Sequence, residues 1–326
     1  MKLIIQIPCF NEEATLPQVL AGLPRQLDGI DRVEWLVVDD GSRDRTSDVA
    51  REGGVDHIVR HPVNLGLGRA FLTGIQECVR LGADIIVNTD GDNQYAAGDI
   101  PALIRPILEG KAEIVVGARP IDAIAHFSPV KKCLQKLGSR VIRAASGTDV
   151  PDAPSGFRAF ARHAAMQLNV FSDHTYTLET IIQAGQKGIP VTSVPVHVNA
   201  PTRPSRLSRN TYEYVRRSLA TIIRIFMLYR PMRFFIMLGA VPFGAGMLVG
   251  LRFLIAYFMG HGDGKIQSLI LAAVLLICGF FLFIIALLAD LISANRRLLE
   301  KLDWRLREVE EKSRAPAAQG PHDTRA

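Results

Sequence analysis

The sequence predicts an α/β fold, a mostly parallel sheet covered on both faces by helices, followed by a pair of membrane-spanning helices. Three observations carry that expectation. Short, nearly continuous apolar runs alternate with stretches of helical period in the first part of the chain. Each apolar run ends in acidic, polar or glycine-rich residues, and in such sheets ligands bind outside the carboxyl ends of the strands. Two long apolar segments lie back to back further on.

The elements follow in order. Leu3-Ile4-Ile5-Gln6-Ile7 reads as a strand that stops at Pro8, ahead of Cys9-Phe10-Asn11-Glu12-Glu13. Trp35-Leu36-Val37-Val38 stops at Asp39-Asp40-Gly41-Ser42, and His57-Ile58-Val59 leads to Asn64-Leu65-Gly66-Leu67-Gly68-Arg69-Ala70. Ile85-Ile86-Val87-Asn88-Thr89 runs into Asp90-Gly91-Asp92, with Gln94 just beyond, and Glu113-Ile114-Val115-Val116 stops at Gly117-Ala118-Arg119. Helical period occupies Ala14 to Leu23, Thr46 to Glu52, Gly68 to Leu81 and Asp99 to Leu108.

Asp90 and Asp92 are the most informative pair. Two carboxylates one residue apart at the mouth of a buried strand repel each other, and a solvated Asp-Gly turn is the ordinary alternative. A hard divalent cation, Mg²⁺ or Mn²⁺, relieves that repulsion and leaves positions open for phosphate oxygens. The polar ends of the neighbouring strands favour the cation.

The 326 residues, 48% of them hydrophobic, suffice for one α/β domain of about 200 residues and a membrane module. Phe234 to Met259 is apolar except for Arg252, which snorkels at the end of its span, and Ser268 to Ala289 carries no charge. Each can cross about 30 Å of hydrocarbon at about 1.5 Å per residue, and only Gly260 to Lys265 separates them. Arg216, Arg217, Arg224, Arg230 and Arg233 precede the hairpin, and Arg296, Arg297, Lys301, Arg305 and Arg307 follow it. The positive-inside rule therefore sets the catalytic half and both termini on the cytoplasmic side of the cell membrane. No signal peptide is expected ahead of the first strand. The net charge of +6 crowds this boundary, which argues for a lipid bilayer as partner and against nucleic acid.

Tyr212, Val215, Leu219, Ile222, Ile223, Phe226 and Met227 form an apolar stripe suited to an interfacial helix, or to packing on the soluble domain. Leu298, Leu302, Leu306 and Val309 mark a short amphipathic helix able to self-associate, and the last dozen residues read as disordered. The expected organisation is thus a catalytic domain over 1–209, an interface helix over 210–232, a two-helix hairpin over 233–291, and an amphipathic helix with a tail over 292–326. Cys9, Cys78, Cys133 and Cys278 show neither disulfide nor zinc spacing, as a reducing cytoplasm allows.

Together, Pro8-Cys9-Phe10-Asn11-Glu12, Val38-Asp39-Asp40-Gly41-Ser42, Asn64-x-Gly66-x-Gly68-x-Ala70-x-x-x-Gly74, Asp90-x-Asp92-x-Gln94 and Ser155-Gly156-Phe157-Arg158 resemble the family 2 glycosyltransferases. More narrowly, they resemble the polyprenyl-phosphate branch, like dolichol-phosphate mannose synthase, whose inverting enzymes have a GT-A, Rossmann-like catalytic domain. The resemblance runs from the first strand to about Arg209, and some members of the branch also carry a C-terminal membrane hairpin.

The resemblance implies roles residue by residue. Pro8, Phe10, Asn11, Glu12 and Asp39 would surround the nucleoside; Asn11, Glu12 and Glu13 can also cap the following helix. Asp90, Asp92 and Gln94 would hold the metal on the diphosphate, with Arg119 donating to its oxygens. Asp152, a base or oxocarbenium stabiliser near the anomeric carbon or else a turn cap, joins Asp92 and Arg203 as catalytic candidates. Arg203, Arg206, Ser208 and Arg209 resemble the family's Arg-x-x-Gly-x-Ser-Lys segment that closes over phosphates, with Arg206 replacing the glycine and Arg209 the lysine; a patch for anionic lipid is the alternative.

The implied reaction moves a sugar from a nucleotide sugar to a polyprenyl phosphate, with a UDP-hexose or UDP-N-acetylhexosamine favoured over GDP-mannose. Dimers or tetramers are admissible. A processive polysaccharide synthase would carry a Gln-x-x-Arg-Trp segment, a nucleotidyltransferase a glycine-rich arginine loop after the first strand, and neither is present. A non-catalytic membrane scaffold would have no use for Asp39, Asp90, Asp92 and Arg119 together.

Overall fold

The structure is a computed structural model that describes residues 1–120, 138–140, 142–143, 146–170, 176–199, 220, 223–224, 227, 229–259 and 266–314. The chain divides into two compact units, Met1–Leu219 and Ala220–Ala326.

The first unit holds a seven-stranded sheet. In chain order come β1 (Lys2–Cys9), α1 (Leu16–Gly22), β2 (Arg32–Asp39), α2 (Thr46–Glu52), β3 (His57–Arg60), α3 (Leu67–Arg80), β4 (Ile85–Asn88), a 3₁₀ turn (Ala97–Asp99), α4 (Ile100–Leu108) and β5 (Ile114–Ala118). After these follow β6 (Arg158–Ala161), α5 (Arg162–Gln167), α6 (Thr177–Lys187) and β7 (Val191–Pro195). The strand order is β3-β2-β1-β4-β6-β5-β7. Only β6 runs antiparallel, wedged between β4 and β5, so its amino end shares an edge with the carboxyl ends of the parallel strands.

Alternation along each strand sorts the core onto two faces. Leu3, Ile5 and Ile7 of β1 join Trp35 and Val37 of β2 beneath Leu16, Val19 and Leu20 of α1 and Ile100, Leu103 and Ile104 of α4. Ile4, Leu36, Val38 and Ile86 turn to the other face, under Ala70, Phe71, Ile75 and Cys78 of α3. Full burial of a side chain such as Phe71 is worth roughly 2–3 kcal/mol. Gly74 of α3 lies directly over Gln6: a Cβ there would stand 2.2 Å from Gln6 Oε1. That close approach accounts for the last glycine of the Asn64-to-Gly74 motif.

β1 runs through Pro8 to Cys9 where the sequence suggested a stop at Pro8. The ladder to β4 ends at Gln6, whose carbonyl accepts from the Thr89 amide, 3.1 Å away. Pro8 points to that same side one step past the ladder, where a missing N–H leaves no bond unmade.

In the second unit α7 (Pro231–Phe258) and α8 (Ile266–Arg314) are each long and apolar enough to cross a membrane. They pack antiparallel at backbone distance: a Cβ on Gly279 would lie 2.8 Å from Phe243 N, and one on Gly246 would lie 3.0 Å from Leu276 N. Small residues that admit such approach are the usual glue between helices in lipid. α8 continues unbroken to Arg314, so the amphipathic segment read separately from the sequence is the same helix as the second span. Between Gly279 and Arg314 nothing interrupts it, because no proline or glycine intervenes.

Candidate active site

The residues singled out from the sequence gather at one edge of the sheet. Phe10, Asn11 and Glu12 follow β1, Asp39 ends β2, Asp90 and Asp92 follow β4, and Arg119 follows β5. Asp152 enters from the segment ahead of β6.

The β1 and β2 ends are laced together. Asn11, in left-handed backbone (φ 55), donates its amide to Ser42 Oγ at 2.9 Å and accepts from the Arg43 amide at 2.8 Å. The Asp40 amide donates to Cys9 O at 2.9 Å. Asp39 is buried; its carboxylate accepts from the Ser42 amide at 2.8 Å and from the Ser47 hydroxyl, and Arg60 Nε lies 3.5 Å away. Glu12 is also buried: its amide donates to Thr46 Oγ1 at 2.9 Å, and its carboxylate lies 2.8 Å from the Thr15 hydroxyl, which is 2.8 Å from Gly91 O as well. The nucleoside candidates and the Asp90-Gly91-Asp92 turn are therefore one hydrogen-bonded corner.

Asp90 carries the electrostatic signature of this corner. Burial and then the charge of Asp92 push its carboxyl up to about 7, against the lowering influence of Arg119 and Arg158. The β6 leader presses on it, since a Cβ at Gly156 would stand 2.9 Å from both Asp90 Oδ2 and the Tyr176 hydroxyl. Behind Gly156 lies a buried network. Asn88 Nδ2 donates to Gly156 O and to the Tyr176 hydroxyl, each at 2.8 Å, and Asn88 Oδ1 accepts from Gln6 at 2.8 Å. Tyr95 accepts the Gly156 amide at 3.0 Å. Tyr176 in turn stacks on Phe71 of α3.

Arg119 and Asp152, assigned separate roles from the sequence, are partners. Arg119 Nε and Nη2 donate to the two Asp152 oxygens at 2.7 and 3.0 Å, and both side chains are buried. Burial alone would lower the Arg119 pKa, but Tyr95, Asp152 and Asp90 raise it, so the cation is held fixed. Arg158, wholly buried, donates to Ser155 O, Ala153 O and Thr180 Oγ1 at 2.6 to 2.8 Å and staples the segment that carries Asp152 and Gly156. Burial lowers its pKa to about 10.

The donor set suits a divalent cation whose remaining ligands come from phosphate oxygens. Asp90 and Asp92 supply two carboxylates, and no group of three His, Cys, Asp or Glu is gathered among the described residues. Gln94 is tied through its backbone, its amide to Asp92 Oδ1 at 3.1 Å and its carbonyl to the Asn199 amide at 2.9 Å. Arg203, Arg206, Ser208 and Arg209 lie outside the described residues.

The glycosyl transferase family 2 model matches residues 4–168, from β1 through α5. The chain belongs to that family. The transferase is 32% identical over 215 residues to a UDP-N-acetylglucosamine–dolichyl-phosphate N-acetylglucosaminyltransferase of Methanococcus voltae, covering 58% of this chain and 82% of the relative. It is 26% identical over 206 residues to an undecaprenyl-phosphate mannosyltransferase of Micrococcus luteus, covering 60% and 83%. Among solved structures, glucosyl-3-phosphoglycerate synthase from Mycobacterium tuberculosis with Mn²⁺, UDP and phosphoglyceric acid superposes with a TM-score of 0.54 at 20% identity, over 69% of this chain and 77% of that one. The catalytic fold is GT-A.

Several residues of the corner were not singled out from the sequence. Arg60 ends an ordinary strand, β3, and Tyr176 and Asn88 carry no motif. Asp40 stands beside Asp39 and could have been found by asking what holds the glycine-rich segment after β3. Arg158 belongs to a quoted motif, but only its burial reveals its task.

Proposed function

We propose that this transferase moves a sugar from a nucleotide sugar to a polyprenyl phosphate at the cytoplasmic face of the cell membrane, inverting the anomeric configuration. The observation that supports it best is the Asp90–Asp92 pair, pressed by Gly156 and flanked by the fixed cation of Arg119. Such a pair holds Mg²⁺ or Mn²⁺ on a diphosphate, and the bound ion would neutralise charge on the leaving nucleoside diphosphate. Pro8, Phe10, Asn11, Glu12 and Asp39 surround the nucleoside. The polyprenyl-phosphate names of the relatives favour the acceptor, and the two apolar helices favour a lipid substrate.

An acceptor phosphate oxygen attacks the anomeric carbon from the side opposite the diphosphate. The old carbon–oxygen bond breaks, and its electron pair leaves on the diphosphate oxygen. A phosphate monoester, with a second pKa near 6, is largely dianionic at neutral pH and needs no strong base. Asp152 accordingly works by fixing Arg119: two of the five guanidinium N–H groups are spent on the carboxylate, and others are left for phosphate. Arg203, Arg206, Ser208 and Arg209 close over the phosphates from the connector to the membrane, and Gln94 completes the metal set.

The organisation proposed is a catalytic domain to residue 209, an interface helix over 210–232, the hairpin over 233–291 and a cytoplasmic helix and tail over 292–326. Leu298, Leu302, Leu306 and Val309 on α8 are well exposed and favour self-association into a dimer or tetramer, which cross-linking in the membrane would test.

The test is direct. Full-length protein is incubated with labelled UDP-glucose, UDP-N-acetylglucosamine or GDP-mannose, Mn²⁺ and a short polyprenyl phosphate. Label should enter the lipid phase from one donor, with release of the nucleoside diphosphate. Label reaching only a sugar polymer, or no lipid product from any donor, would overturn the reading.

A further inference from the structure

The second acidic residue of the β2 terminus has no task in the reaction as described, yet it is among the most heavily bonded side chains in the first unit. Asp40 is 3% exposed. Its Oδ1 accepts from His61 Nδ1 at 2.8 Å and from the Leu65 amide at 2.9 Å, and its Oδ2 accepts from the Gly66 amide at 2.9 Å. Its own carbonyl receives Asn64 Nδ2 at 3.3 Å. His61, itself buried, reaches on to Thr73 of α3, with Nε2 3.0 Å from Oγ1.

The loop so gripped sits close against the nucleoside corner. The His61 amide donates to Asp39 O at 2.8 Å. Gly41 is in left-handed backbone (φ 70), and a Cβ there would meet the Val63 carbonyl carbon at 2.5 Å and Asn64 N at 2.7 Å. Gly66, also at positive φ, is the N-cap of α3 and offers no side chain to fix the turn. A glycine-rich turn left to itself loses much conformational entropy on ordering. One buried carboxylate taking two successive amides supplies the missing constraint.

We propose that Asp40 is a positioning residue for the nucleotide: a latch that holds the loop from His61 to Gly66 and the first turn of α3 against the end of β2. The proposal rests on the reading of this corner as a nucleotide-sugar site. Its carboxylate is taken up by His61 and the Leu65 and Gly66 amides, so its loss acts through the loop, weakening donor binding and leaving the chemical step alone.

Asp40→Asn preserves shape but turns an NH₂ toward at least one of the groups that now donate to it. In full-length protein in detergent, KM for the nucleotide sugar should rise about tenfold or more while kcat stays within about threefold. Hydrogen exchange at Leu65 and Gly66 should quicken while β1 stays protected. An unchanged KM, or a fall in kcat alone, would overturn the latch. Should the variant also expose β1, His61→Asn carries the test. It cuts the tie to Thr73 but leaves both loop amides on Asp40, and KM should still rise about threefold; an unchanged KM there overturns the proposal. Failure of the underlying nucleotide-site reading looks different: in wild-type protein, UDP or GDP with Mn²⁺ would then fail to slow exchange at residues 9–12 and 39–42.

Discussion

At the amino edge of the sheet, Glu34 lies beneath Lys2, Arg32 and His57, with contacts of 2.8, 2.6 and 2.8 Å. Burial alone would raise its pKa, but hydrogen bonds from Lys2 and His57 and the nearby positive charges hold it below the usual carboxylate range. At the carboxyl edge, four residues beyond Ile86, which lies level with Glu34 across β1, Asp90 stands beside Asp92 and is pushed up to about 7. At the first edge three positive groups of the chain close on one acid; at the second two acids stand side by side, and Asp90 is pushed up in spite of Arg119 and Arg158. The first arrangement is that of a stabilising ion-pair cluster; the second is the kind found where a ligand binds, as proposed above.

Neutralising the carboxyl edge should have the largest effect. Asp92→Ala, or chelation by EDTA, should lower sugar transfer by about three decades, equivalent to roughly 4 kcal/mol of transition-state stabilisation, with melting temperature nearly unchanged. Transfer near the wild-type rate in either case would show that the acidic pair and its ion are not needed for the reaction.

Next comes the buried Arg119–Asp152 pair, which could belong to either regime. Arg119→Met alone leaves a buried carboxylate without its partner and should cost about 3–5 kcal/mol of stability. Arg119→Met with Asp152→Leu should recover most of that stability but no transfer activity. Recovery of both would make the pair a structural device like Glu34.

Gly156→Ala is a milder intrusion. The added methyl meets Asp90 and the Tyr176 hydroxyl at 2.9 Å, so one must yield. A loss of about 1–3 kcal/mol in stability is expected, with a fall of tenfold or more in transfer rate. Unaltered kinetics would show that Asp90 has room to move.

Glu34→Gln should be the smallest change, about 1–2 kcal/mol in stability with transfer within twofold. Its pH dependence has a definite sign. Because the folded carboxyl titrates below its unfolded value of about 4.3, its contribution is complete above that pH and fades as pH falls through the folded value. The melting difference between wild type and variant should therefore be present at neutral pH and shrink in acid.

The sequence made the carboxyl edge legible because a strand ending in acidic or glycine-rich residues needs only local pattern to be seen. Asp39, Asp90, Asp92 and Arg119 all lie where that pattern points. The pairing of Arg119 with Asp152 was hidden, because it joins residues 33 positions apart through the antiparallel wedge of β6. That strand is itself obscure: four residues beginning with a buried arginine look like no ordinary strand, and its place between β4 and β5 follows from topology alone. Pro8 misled for the opposite reason. Proline ends most strands, but here the neighbouring ladder had already stopped. The unbroken length of α8 was missed because apolar span and amphipathic extension have different periodicities though one helical backbone.

The carboxyl edge, on the function proposed above, binds a nucleotide through a divalent ion. Calorimetric titration of full-length wild type, Asp92→Ala and Glu34→Gln with UDP and with GDP, each with and without Mn²⁺, tests it most directly. One nucleotide should bind wild type and Glu34→Gln only when Mn²⁺ is present, and should fail to bind Asp92→Ala. Binding that ignores the metal, or that survives in Asp92→Ala at wild-type strength, would contradict it.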